Sequence, residues 1–194
     1  TLKVQYELDT NNFESAIECY AKILSLISKN DANREVYQTN LTASYVLTNQ
    51  NEKAFEFLWS VCKETPTQGL LTNLSACAIY LGKYEEAEWA VNELLSKDAK
   101  DIGALVNMGL CKIGENDAKT AIKYFNKALD LDKKSAYALN NRGYAYYMLE
   151  KYDKALQDIN ASLQLLPENP YAYKNRALVY FKNGMAGGCE GLQT

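Results

Sequence analysis

The sequence contains no histidine. That absence removes Ser-His and Cys-His nucleophiles, His-ligated zinc sites and the usual proton shuttle near neutral pH. Proline (3) and glycine (10) are scarce among 194 residues, so few helix breakers interrupt the chain. No apolar run approaches the ~18–20 residues of a membrane span. Phosphate loops, dinucleotide fingerprints and metal-ligand clusters are missing as well, so neither catalysis nor a cofactor is expected. The 21 Lys+Arg and 24 Asp+Glu leave a net charge of −3, which argues against nucleic acid or an acidic membrane as partner. The five cysteines are odd in number and at least 15 residues apart, without a CxxC pair. Such thiols fit small apolar packing roles in a reducing compartment, and a cytoplasmic location is the expectation. Sequons at Asn40, Asn73 and Asn160 fall inside expected helices and are discounted as glycosylation sites. The chain starts at Thr1 in what reads as mid-element, which leaves a preceding segment open.

What is abundant is tyrosine (15 residues) and repetition. Short stretches that lead into apolar helices, such as GKYEEAEWAV and EKYDKALQDI, carry an alanine at one place: Ala16, Ala54, Ala87, Ala121 and Ala155. The spacings are 38, 33, 34 and 34 residues, and a further 34 reaches Cys189. A second column, Thr42, Ser75, Gly109, Gly143 and Ala177, is also small. Helices approach to ~8–10 Å only where side chains are small, so both columns predict tight helix–helix contacts. Each hairpin alone exposes an apolar face, and stacking its neighbours buries it. The turns after the first helices are expected near Asn49, Gly82, Gly114, Glu150 and Gly184.

These residues resemble the tetratricopeptide (TPR) repeat. The clearest unit, 136–169, places Gly143, Tyr146, Tyr152, Ala155, Ile159 and Pro167 at the family's spacing, with Leu139, Arg142 and Ile159 as departures. Units 35–67, 68–101 and 102–135 precede it, with partial units at 1–34 and 170–194. The resemblance implies one all-α, right-handed solenoid over 1–194, built of antiparallel helix pairs whose first helices (helices A) line a concave groove. It also implies a binding scaffold rather than an enzyme. The positions that would form a clamp for a C-terminal carboxylate lack every cation: Thr72, Ala76, Asn107, Tyr137 and Asn141 in one frame, with Val106, Leu110, Tyr171 and Asn175 among those of the next. That mode is not expected.

One helix A column reads Asn40, Asn73, Asn107, Asn141 and Asn175. Asparagine is an indifferent helix former, so five on one face need a reason. Its amide carries donors and an acceptor and can pair with the N–H and C=O of an extended peptide. Two roles stay open: reading a peptide, or knitting neighbouring helices together. Other positions facing the groove turn aromatic toward the C-terminus, at Tyr137, Tyr144, Tyr147, Tyr171 and Phe181, and such residues are frequent binding anchors. Tyr146, Tyr152, Tyr173 and Tyr180 occupy packing columns, and Arg142 is expected to pair with Asp158. The leading expectation is a scaffold that binds an extended segment of a partner protein. The alternative is a targeting or regulatory arm of a larger enzyme or ribonucleoprotein complex. The apolar edge around Tyr173, Leu178 and Tyr180, followed by GMAGG, is expected to be covered by a further repeat, a second copy or a partner, with weak self-association.

Overall fold

A computed structural model describes residues 12–184. Among them are ten helices and no strand. In chain order these are α1 (Phe13–Leu26), α2 (Arg34–Leu47), α3 (Asn51–Glu64), α4 (Gln68–Tyr80), α5 (Tyr84–Lys97), α6 (Ile102–Gly114), α7 (Ala118–Leu131), α8 (Ala136–Met148), α9 (Tyr152–Leu165) and α10 (Pro170–Lys182). Tertiary contacts divide the chain inside α5 into two compact units, Thr1–Ala90 and Val91–Thr194. Each is described by itself. Cys189 and the GMAGG segment beyond Gly184 lie outside the described residues.

Local chemistry starts and stops the helices at the repeat's period. Four helices A begin on capping side chains 34 residues apart: Thr67, Asp101, Ser135 and Asn169 each accept a backbone N–H from the first turn. Such a cap satisfies one of the amides that a helix start leaves unpaired. The opposite ends turn on a left-handed residue, with φ of 58° at Asn49, 73° at Gly82, 64° at Asn116, 56° at Glu150 and 70° at Gly184. Four of the expected turn positions hold. The fifth falls on Asn116, two residues beyond Gly114, because Gly114 completes the last turn of α6.

In the first unit α1 and α2 close over Ala16, Tyr20 and Leu41. In the second, α6 to α10 enclose three clusters, around Leu105 and Leu139, around Phe125 and Ala145, and around Ile159 and Val179. All five column alanines are fully buried. Thr42, Ser75, Gly109 and Gly143 are buried as expected, whereas Ala177 is exposed because no described helix packs across that face of α10. The two glycines are required for contact: a Cβ on Gly109 would enter the ring of Phe125, and one on Gly143 would stand 2.7 Å from Ile159 Cγ1. Ser44, Cys77, Cys111, Ala145 and Val179 form a buried column, and burial pushes the Cys77 thiol pKa up. These sulfurs occupy packing positions, and Cys77 is moved away from the thiolate form that nucleophiles need.

Candidate functional site

Helix A residues form a groove in each unit. In the first, α2 and α4 enclose about 680 Å³, walled by Val46, Leu47, Ala76 and Tyr80 with Asn73 among them. In the second, α6, α8 and α10 enclose about 430 Å³. Five of the nine expected site residues meet there: Tyr137, Asn141, Tyr144, Tyr171 and Asn175. Leu110, Ile113 and Leu178 give this groove an apolar lining as well.

The tyrosines differ in how they are held. Tyr137 and Tyr171, 34 residues apart, stand 61% and 68% exposed at the groove. Tyr144 stacks on Tyr147 with ring centroids 5.7 Å apart. Tyr147 in turn packs against Tyr152 and the cluster around Ile159, which fixes Tyr144 from behind. Phe181, another expected groove residue, is exposed and does not line the groove.

The asparagine column divides by environment. Asn40 shares a hydrogen bond with the Tyr20 hydroxyl, whose pKa burial nonetheless pushes up. Asn73 lines the groove of the first unit, and Asn107 is half-buried on α6. Asn141 and Asn175 are joined through a residue that the column pattern does not contain, the buried Asn140. Asn175 Nδ2 donates to Asn140 Oδ1 at 3.0 Å, and Asn140 Nδ2 donates to Asn141 Oδ1 at 3.2 Å. This chain of amides ties α10 to α8 and sets the direction of both ends. Asn141 keeps its NH₂ donors and Asn175 keeps its carbonyl acceptor beside the groove, the complementary pair that a peptide bond needs.

Two further polar residues escaped the sequence reading. Lys174 lines the second groove, and Asn169 forms part of its wall at the start of α10. Asn169 was legible in principle, since an Asn-Pro pair marks a helix start and a cap recurs every 34 residues. Lys174 and Asn140 stand in a column that holds threonine and valine elsewhere, so periodicity carries no signal for them. Behind the groove Arg142 makes the expected pair with Asp158, bidentate at 2.7 and 2.8 Å, and also donates to Asn126 at 2.7 Å. Arg176 repeats the contact to Asn160 at 3.3 Å. These guanidinium bonds hold consecutive helices together and do not line the groove.

Among the described residues no cluster of His, Cys, Asp and Glu could hold a metal, and no helix is long and apolar enough to cross a membrane. A stack of helical hairpins with grooves on its helix A faces defines an all-α helical-repeat protein. Tetratricopeptide-repeat models match residues 102–135 and 136–169, and the chain belongs to that family. Comparison with curated proteins gives no match. Among solved structures, a TPR protein from Parabacteroides merdae is 23% identical with a TM-score of 0.78, covering 94% of this chain and 71% of its own. YrrB, described as a TPR protein with an unusual peptide-binding site, is 20% identical with a TM-score of 0.65, covering 90% of this chain and 88% of its own. The first TPR of Spaghetti, solved with an HSP90 peptide, is 22% identical with a TM-score of 0.54, covering 59% of this chain and 91% of its own. These likenesses show the fold, an all-α solenoid.

Proposed function

We propose that the chain is a protein-interaction scaffold whose helix A groove in the second unit holds an extended segment of a partner protein. The observation that carries this reading is the meeting of two exposed tyrosines with the oriented amide pair Asn141 and Asn175 in one apolar groove. Tyrosine supplies contact area at low entropic cost, and the amides offer a donor and an acceptor to a backbone. TPR repeats are in general non-catalytic, and two of the similar structures are peptide-binding or peptide-bound proteins, which supports the same reading. On this reading units 35–67, 68–101, 102–135 and 136–169 act as successive repeats of one solenoid.

The test is selection of a displayed library of twelve-residue random peptides on the chain, followed by affinity measurement on variants. Tyr137→Ala with Tyr171→Ala is expected to weaken the selected peptides by about tenfold or more, the cost of losing aromatic anchors. The melting temperature should stay nearly unchanged, because both rings are mostly exposed. Leu26→Ala, at an exposed apolar residue in the first unit, is the control and should bind as the parent does. Selected peptides that bind the double variant as well as the parent would place recognition elsewhere.

A further inference from the structure

The groove of the second unit has a polarity that its apolar lining conceals. Its lining residues include one charged side chain, Lys174, and no carboxylate. Lys174 is exposed, and no ion pair involves it among the described residues. At the same groove lies the start of α10, a helix of 13 residues whose N-terminal end carries partial positive charge. The cap of that helix, Asn169, is 4% exposed. Its Oδ1 accepts the Tyr171 N–H at 3.1 Å, while its Nδ2 is buried without a hydrogen-bond partner. An unpaired buried donor costs roughly 1–3 kcal/mol and gains most from a charged acceptor.

The other caps in this column lack such a donor. Asp101 has none when ionised, and the Thr67 hydroxyl already donates to Glu35 Oε1 at 2.8 Å. Asn169 therefore differs in kind. A lone cation, an unpaired amide donor and a helix start converge on one apolar, tyrosine-lined groove.

Resting on the scaffold reading above, we infer that this groove selects partner segments by the side-chain carboxylate of an internal aspartate or glutamate. The carboxylate would pair with Lys174 and accept from Asn169 Nδ2, with Tyr137 and Tyr171 flanking it. The backbone amide pair, Asn141 and Asn175, would hold the segment as it continues past the acidic residue, so a side chain and not a chain terminus is the anion.

The experiment uses the full chain and fluorescein-labelled, C-terminally amidated twelve-residue peptides, so that side chains are the only carboxylates offered. Position six is Asp, Asn or Lys, and the remaining positions are drawn from Ala, Leu, Tyr, Ser and Thr. The Asp pool is expected to bind about tenfold more tightly than the Asn pool, with the Lys pool weakest. Lys174→Glu should reverse that order. Asn169→Asp keeps the capping oxygen but replaces the donor with a second acceptor, so it should abolish the Asp preference at an unchanged melting temperature. Three pools that bind equally, yet still lose affinity in the Tyr137→Ala/Tyr171→Ala variant, would overturn the acidic preference and leave the scaffold reading intact. An Asp preference that survives both Lys174→Glu and Asn169→Asp would also overturn it. No binding that depends on the two tyrosines would overturn both.

Discussion

One methyl group separates Gly109 from alanine, and the ring of Phe125 stands where that methyl would go. Phe125 is fully buried and cannot swing into solvent. Gly109→Ala should therefore destabilise the chain by about 1–3 kcal/mol, the usual cost of overpacking, read as an earlier midpoint in chemical denaturation. An unchanged midpoint would show that the helices part without cost. At this scale the sequence was informative wherever a position repeats. The small column, the alanines and the asparagine column all follow from period alone. Asn140, Asn169 and Lys174 were invisible because each acts through its neighbours in space. The two roles weighed for the asparagines are physically compatible: a bond that knits Asn175 to Asn140 uses one side of the amide and leaves the other to the groove.

At the scale of the element, caps make helix stability depend on pH. Asp117 starts α7, accepting the Thr120 backbone N–H at 3.0 Å. The Thr120 side chain and backbone, with help from Lys112 and Lys123, hold the Asp117 carboxyl below its ordinary pKa of 3.8. Because the folded value is the lower one, the contribution is present above the ordinary value and is lost as pH falls through the folded one. Asp117→Asn keeps an acceptor and removes the titration. The stability difference between parent and variant should be full at neutral pH and shrink below about pH 4 in parallel denaturation series. A difference independent of pH would assign the cap's effect to geometry alone. The acidic cap was legible as a helix start; that the neighbouring turn rests on Asn116 and not Gly114 was not. Glycine's permissiveness drew the expectation, while the helix simply ran one turn further.

For the molecule as a whole, the period of 34 specified the helix count and order. What it could not specify is where tertiary contacts thin, and the division inside α5 has no mark in the pattern of columns. The groove lining was half legible for a related reason. Periodicity names a face, but residue types that change from repeat to repeat decide what the face can bind. In a stack each hairpin leans on its neighbours only, so defects stay local. Ala155, fully buried in the α8–α9 hairpin, tests this. Ala155→Trp should strip hydrogen-exchange protection from α8 to α10 while α2 and α3 keep theirs. Loss of protection everywhere at once would mean a single cooperative unit.

The left-handed turns carry a further meaning. Five hairpins pivot on one residue each, yet that residue is glycine at only Gly82 and Gly184, and the others pay a conformational penalty at Asn49, Asn116 and Glu150. A position that repeats in shape while its chemistry drifts is where a duplicated module shows its age. None of the three non-glycine pivots but Asn49 borders a groove. Asn116 and Glu150 can therefore be exchanged toward glycine without redrawing the second groove, so durability and recognition are separately adjustable properties of this chain.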